Sequence, residues 1–112
     1  MKIDIFNVIY NMILSYKETT NEDPYVVLIS PKIYAELIEY LKDTNAFRYL
    51  SKLEGDNRKI NYIFGVHFEK SEYIIQDAIA MNIFDYEKYC EYKCIKNNLF
   101  KSEVEWNEYR YL

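Results

Sequence analysis

Glycine and histidine are scarce in this sequence, and their scarcity removes several classes of active site. The 112 residues contain two glycines, Gly55 and Gly65, and one histidine, His67. Phosphate-binding loops and dinucleotide-binding turns need clustered glycines, so both are excluded. A serine or cysteine nucleophile usually needs a neighbouring histidine as its base. The strand-like context of His67 predicts a structural side chain, with a pH-sensing or catalytic role as the alternative.

Cysteine is limited to Cys90 and Cys94, which is too few for a structural zinc site of the usual four ligands. If their segment is a strand, the two thiols lie on one face, about 13 Å apart along the chain, too far for a disulfide. If it is a helix, they lie one turn apart but are poorly aimed at each other. We expect two free, mainly buried thiols in a reducing compartment and no metal or organic cofactor.

Long apolar runs and basic clusters are also missing. Asp4, Asn7 and Asn11 interrupt the apolar N-terminal stretch, and no A-x-A-like cleavage site follows it, so we expect no signal peptide. No run approaches the roughly 18 apolar residues of a membrane span. The net charge is −4, the sequence pI is about 5.0 and no basic stripe is present. We therefore expect a cytoplasmic protein that binds neither membrane nor nucleic acid.

The residues that are abundant predict one folded domain over residues 1–112. Half of the residues are apolar and 29% are charged, a composition that can bury a single core. The excess lies in 13 tyrosines, whose apolar rings and polar hydroxyls suit half-buried surfaces and interfaces. The tyrosines either reflect the coding bias of an A+T-rich genome or form a surface that binds other molecules.

The N-terminal half has the clearest pattern of secondary structure. Apolar residues at helical spacing predict a helix over 4–18, and the β-branched run YVVLIS predicts a strand over 25–30 that is covered on both faces. Ser30 stands where a helix N-cap is expected, and Pro31 at the first helical position. The residues after Pro31 keep helical spacing, so a second, amphipathic helix follows the strand.

The C-terminal half predicts further strands. Residues 45–57 predict a brief helix or turn that Gly55 ends, and residues 58–83 predict two or three strands. Ile60, Tyr62 and Phe64 alternate with Asn61 and Ile63 there. Alternation favours a strand over a helix for 86–95 and predicts a terminal hairpin in the tail 102–112. The predicted fold is an α+β domain with both helices on a mostly antiparallel sheet of about four to six strands.

Four segments in a fixed order carry a resemblance to a known family. These are YVVLISPKIYAELIEYLKD, FRYL, INYIFGVHFEKSEYI and DAIAM, within residues 25–82. Their order resembles the distal strand-helix-strand region of tailed-phage major capsid proteins. The resemblance implies an α+β subdomain used for assembly, without catalytic residues. It suggests a phage or mobile-element protein that uses such a unit for binding.

Small size, missing catalytic motifs and excess aromatic residues predict a non-enzymatic protein-binding module, such as an inhibitor of a host protein. Its partner is expected to be a host or viral protein, or a second copy of the chain in a homo-oligomer. Interface hot spots favour Trp and Tyr, and carboxylates can orient a partner. The predicted contact residues are Tyr89, Tyr92, Glu103, Glu105, Trp106, Tyr109 and Tyr111.

Two other functions remain open at this point. The first is a capsid-like structural or assembly subunit. The second is a metal-dependent hydrolase or nuclease, since carboxylates and a histidine can hold a catalytic metal. Its candidate residues are His67, Glu69, Asp77 and Asp85.

Overall fold

The computed structural model describes residues 4–46, 50, 60, 62–97 and 105–111, which contain four helices and three strands. The helices are α1 (Ile5–Thr20), α2 (Pro31–Asp43), α3 (Ile83–Asn97) and α4 (Trp106–Tyr109). The strands are β1 (Val26–Ile29), β2 (His67–Lys70) and β3 (Ala78–Met81). The helix or turn predicted for 45–57 lies almost wholly outside the described residues.

Helix α1 confirms the first predicted helix and its cap. The Asn7 backbone N–H donates to Asp4 Oδ1 at 3.3 Å, which satisfies one of the free amides of the first turn. Asn21 ends the helix in the left-handed conformation, with φ of 60°. The side chains that α1 buries lie one turn apart, at Ile5, Ile9 and Ile13.

The start of α2 also follows the sequence prediction. Ser30 is extended, and its Oγ accepts a hydrogen bond of 3.3 Å from the Ile33 backbone N–H. Pro31 occupies the first helical position, where its missing N–H leaves no helical bond unmade. The junction Ser30–Pro31 is therefore the point where a buried strand becomes an amphipathic helix.

The three strands form a mixed sheet in the order β2-β1-β3. Strand β1 is central: it pairs parallel with β2 and antiparallel with β3. Val26, at the start of β1, lies beside His67 at the start of β2 and beside Met81 at the end of β3. These three residues therefore mark one end of the sheet.

Both faces of β1 are covered, as its apolar run predicts. Val27 and Ile29 lie in a core cluster with the buried side chains of α1 and α2. Val26 and Leu28 lie in a second cluster with side chains of α3 and α4. The described part of the chain is therefore a three-layer structure, with helices on each face of a small sheet.

A tight hairpin precedes β2. Ile63 and Val66 exchange backbone hydrogen bonds of 3.0 and 2.9 Å around Phe64 and Gly65. Phe64 has φ of 54° and Gly65 φ of 75°, and two consecutive positive values are the mark of a type I′ turn. This conformation is unfavourable for an aromatic residue, but its ring gains packing against α1. The rings in contact are Phe6 and Tyr10, both with centroids 5.0 Å from Phe64.

The hairpin corrects the alternation predicted for this segment. Tyr62 and Phe64 are exposed, whereas Ile63 between them is buried, as is Ile60. Gly65 is the second residue of the turn and reverses the chain there. The regular strand begins only after the turn, because two left-handed residues cannot continue an extended strand.

Two predicted strands are helices. Residues 86–95 lie within α3, and the tail residues 106–109 form the single turn of α4. The strand prediction for 86–95 is therefore wrong, and the described tail shows no hairpin. The predicted four to six mostly antiparallel strands are not confirmed either: the described residues form three strands, and one of the two pairings is parallel. The α+β class is confirmed.

Candidate functional site

A groove of about 700 Å³ opens at the end of the sheet where β1 and β2 begin and β3 ends. Three parts of the chain line it. They are residues 22–25 between α1 and β1, residues 62, 65 and 67 around the hairpin, and residues 82–84 and 86 at the start of α3. We call it the aromatic groove. Its volume is within the range of protein binding sites, about 300 to 1,000 Å³.

Exposed aromatic rings form the walls of the groove. Tyr25 is 51% exposed, Tyr62 64% and Phe84 76%, although each is large and mainly apolar. Tyr25 packs against Tyr86 with ring centroids 5.6 Å apart. Exposed apolar side chains gathered in one concave surface are typical of an interaction site, whereas scattered ones need no explanation.

The rim of the groove next to α1 is acidic. Glu22 and Asp23 both line it and are exposed. Asp23 forms an ion pair of 3.1 Å with Lys17, which partly neutralises its charge. Lys17 forms this ion pair with Asp23 and not with Glu22. Burial raises the pKa of Tyr16, and the charges of Asp85 and Glu22 raise it further. Both carboxylates therefore act on the same side chain, Tyr16 in the C-terminal half of α1.

Tyr86 is fixed in the groove wall by a partly buried hydrogen bond. Its hydroxyl donates to Glu69 Oε1 at 2.7 Å, and Glu69 Oε2 lies 3.8 Å from Lys93 Nζ. Burial first, and then the hydrogen bond and charge of Glu69, raise the pKa of Tyr86. The hydroxyl therefore stays protonated and keeps its donor role at neutral pH.

His67 lies at the mouth of the groove. It is exposed at the start of β2, and its ring packs against Tyr62 with centroids 5.5 Å apart. Its neighbours Val66 and Phe68 are buried, as the predicted strand alternation requires. The packing makes His67 part of the aromatic wall.

The structure brings together most of the aromatic residues predicted to contact a partner, but in the core. Tyr89 is 0% exposed, and Tyr92 and Trp106 are each 1% exposed. Trp106 packs edge-on against Tyr89 at 5.4 Å and lies 5.6 Å from Tyr92. These three rings join α3 to α4, so they have no surface for a partner while the fold is intact.

The remaining predicted contact residues are scattered. Tyr109 is half-buried against Tyr92, with ring centroids 5.3 Å apart, whereas Tyr111 is 80% exposed. Glu105 is exposed at the N-cap of α4 and makes no side-chain capping bond. Glu103, predicted to lie beside Glu105 on one strand face, is outside the described residues.

The four residues of the predicted metal site are not gathered in one place. His67 lies at the groove, whereas Asp77 precedes β3 at the opposite end of the sheet. Glu69 is bound to Tyr86, and Asp85 lies in the first turn of α3. Across the described ranges, no three or more His, Cys, Asp or Glu side chains are grouped so that they could hold a metal ion.

Both cysteines are free thiols, one turn apart on α3. Cys94 is exposed and Cys90 half-buried, so the expectation of mainly buried thiols is wrong for Cys94. The exposure of Cys94 follows from the helix. In a strand, residues four apart share one face, which could be the buried one, but the buried face of α3 is formed by Tyr89 and Tyr92.

The groove residues were not predicted from the sequence. Tyr25 follows Pro24 just before β1, and Phe84 lies two residues after Asn82 in the first turn of α3. This position beside a turn-forming residue is the available sequence signal. A ring next to a turn often remains exposed at the end of a sheet. The partners of each ring across the groove come from distant parts of the chain, and no local pattern shows them.

None of the helices in the described ranges has the length and hydrophobicity that crossing a lipid bilayer requires. Comparisons of the chain with protein-family models, with curated proteins and with solved structures find no match. The chemistry of the aromatic groove is therefore the basis on which a function can be proposed.

Proposed function

We propose that this chain is a non-enzymatic protein-binding module that contacts its partner through the aromatic groove. The observation that carries the proposal is the gathering of Tyr25, Tyr62 and Phe84, each at least half exposed, around one concave surface. Aromatic side chains bury large apolar areas with little loss of conformational entropy, and they are enriched at interface hot spots.

The groove replaces the C-terminal aromatic residues as the proposed contact surface. Like the contact surface suggested by the sequence, the groove is rich in tyrosine and partly acidic. Two of its rings are held by neighbouring side chains: Tyr25 packs against Tyr86, which is bound by Glu69, and Tyr62 packs against His67. A preformed surface loses less freedom on binding than a flexible one.

The proposed partner is another protein, of host or viral origin. This agrees with the resemblance to a phage assembly unit, from which we propose a phage or mobile-element source and inhibition of a host protein as the biological role. A second copy of the chain, or a capsid-like assembly, is the alternative. Light scattering on the purified chain separates the two: a monomer at high concentration supports a foreign partner, and large closed assemblies support the alternative.

Affinity capture with surface variants tests the groove directly. The tagged chain is used to capture partners from lysate of the cells that carry the gene, in parallel with Tyr62→Ala and Phe84→Ala. We expect both variants to lose the partner, because each removes an exposed ring from the groove wall. Each truncation at a hot spot typically costs more than about 1 kcal/mol of binding free energy.

Two matched variants complete the capture experiment. Ile75→Ala removes a side chain that is 73% exposed and lies outside the groove lining, so capture should be unchanged. Tyr111→Ala removes the exposed ring of the C-terminal surface predicted from the sequence. If Tyr111→Ala loses the partner while the groove variants retain it, the partner binds the C-terminal surface and the aromatic groove is not the binding site.

A further inference from the structure

We propose that the aromatic groove captures a cationic side chain, preferably arginine, from a linear segment of the partner. This inference rests on the proposed function and specifies the partner's chemistry. Three separate features of the groove support it: its charge, the C-terminal end of α1 beside it, and rings that take no part in the cation–ring pairs seen among the described residues.

Charge at the rim favours a cation. Glu22 and Asp23 line the groove, and both carboxylates are exposed there. Among the described residues, Lys17 forms an ion pair with the rim carboxylate of Asp23. An incoming cation can therefore approach Glu22 directly and compete with Lys17 for Asp23. Complementary charge of this kind raises the association rate and selects the partner.

The C-terminal end of α1 strengthens the negative potential of the groove. Helix α1 ends at Thr20, close to Glu22 in the chain, and its free carbonyl groups carry a partial negative charge. Helix α3 begins at the groove with a partial positive charge, which opposes cation binding. That charge is moderated locally, because Asn82 Oδ1 accepts a 2.8 Å hydrogen bond from the Asp85 backbone N–H and Asp85 lies in the first turn.

The rings of the groove offer faces that a cation can occupy. A lysine or arginine over an aromatic ring gains roughly 0.5 to 2 kcal/mol, more when water is excluded. Elsewhere the chain places its own cations over tyrosine rings, as with Lys70 over Tyr34 at 5.7 Å and Lys93 over Tyr89 at 5.8 Å. Among the described residues, the rings in these pairs all lie outside the groove lining.

Arginine fits this combination better than lysine. Its guanidinium is planar, so it can stack on a ring and donate hydrogen bonds to a carboxylate at the same time. Tyr25 and Tyr62 supply rings, and Glu22 supplies a carboxylate within the same groove. At about 700 Å³ the groove also exceeds the volume of one side chain, so flanking apolar residues of the segment can bind Phe84.

Selection from a random linear peptide library identifies the preferred segment directly. The immobilised full chain is the target. We expect the enriched peptides to contain arginine, or lysine less often. Replacing that arginine by citrulline keeps its shape and removes its charge, and should weaken binding about tenfold, the loss expected for one charge-assisted hydrogen bond. Binding should also weaken as salt rises from about 50 to about 500 mM, since exposed charges are screened.

Variants of the rim test the electrostatic part in both directions. Glu22→Gln together with Asp23→Asn should weaken binding of an arginine peptide several-fold, because both remove rim charge from exposed positions. Lys17→Gln should strengthen it, because Asp23 is then released from its ion pair. Because damage to the fold would weaken binding, an increase in affinity would be an effect of the changed charge. Ile75→Ala is the neutral control.

The outcomes separate this inference from the proposed function. If the enriched peptides are neutral or acidic but still need Tyr62, the groove binds peptides and the preference for a cation is wrong. If arginine peptides bind Tyr62→Ala as well as the parent chain, the groove is not the binding site and both proposals fail. If no peptide is enriched, recognition of a linear cationic segment is overturned, and affinity capture decides the proposed function alone.

Discussion

Tyr86 and Tyr89 each bring a hydroxyl into the interior, where a polar group without a partner is costly. Tyr89, which is fully buried, shares a hydrogen bond with the buried hydroxyl of Ser71. Tyr86 donates to Glu69 at 2.7 Å. Both hydroxyls are therefore satisfied, and Ser71 in turn accepts a bond of 3.2 Å from the Tyr73 backbone N–H. These hydrogen bonds hold α3 against the end of β2.

Stability should fall at alkaline pH because of these two tyrosines. Burial raises the pKa of Tyr89 to about 12 and also raises that of Tyr86, whereas both titrate near 10.0 when unfolded. Above about pH 10 the unfolded chain loses these protons and the folded chain keeps them, so unfolding is increasingly favoured. We expect the Tm, followed by circular dichroism, to be insensitive to these two groups below about pH 9 and to fall between about pH 10 and 12.

The variant Tyr89→Phe separates this effect from other alkaline titrations. It loses the bond to Ser71 and should be about 1 kcal/mol less stable at neutral pH. Its Tm should nevertheless fall less steeply above about pH 10, because one buried phenol is gone. Tyr111→Phe, which alters an exposed ring, controls for the removal of one phenol. Equal slopes in Tyr89→Phe and the parent chain would contradict the assignment.

Whether a given tyrosine is buried or exposed was the part of the site that the sequence could not reveal. Tyr89 and Trp106 were predicted to contact a partner and are core residues, whereas Tyr62 was placed on a strand face and lies in the groove. A tyrosine has an apolar ring and a polar tip, so its identity is compatible with either environment. Its environment is decided by residues distant in the chain.

The helix N-cap at Ser30 depends on neighbouring residues alone, and the sequence predicted it. Its Oγ accepts from the Ile33 backbone N–H, and no distant residue is needed for that bond. We expect Ser30→Ala to lower the free energy of unfolding by roughly 1 kcal/mol, measured by urea titration. Ser30→Asp should retain most of the stability, because aspartate is also a good N-cap.

Partner binding gives Ser30→Ala a second, independent readout. Ser30 follows the end of β1, whereas the aromatic groove lies where β1 begins. The affinity for a partner or peptide that binds the groove should therefore be unchanged at temperatures where the variant is folded. Loss of binding with an unchanged Tm would mean that the Ser30–Pro31 junction is itself part of a binding site.

Helix α3 shows why element type was predicted less well in the C-terminal half. Its buried face is made of Tyr89 and Tyr92, three residues apart, and half-buried Tyr86 extends the stripe by one turn. A period of two fits the same segment almost as well, because Cys90, Tyr92 and Cys94 alternate with the residues between and beside them. The decisive local signal was Asn82 followed by Asp85, an N-cap and an acidic first-turn residue.

The layered arrangement makes β1 common to both core clusters. Val26 and Leu28 belong to the cluster of α3 and α4, whereas Val27 and Ile29 belong to that of α1 and α2. All four side chains are 0% exposed. Neither layer of helices can therefore detach without exposing one face of the same strand to water. The hydrophobic cost of that exposure couples the two clusters.

This coupling predicts a single cooperative unfolding transition. Trp106, the one tryptophan of the chain, lies in the cluster of α3 and α4, so its fluorescence reports that layer. Far-UV circular dichroism is dominated by the longer helices of both layers. In a urea titration, the two signals should give the same midpoint and the same dependence of stability on urea. If fluorescence changes at lower urea than circular dichroism, the layer of α3 and α4 unfolds separately, and β1 does not couple the clusters.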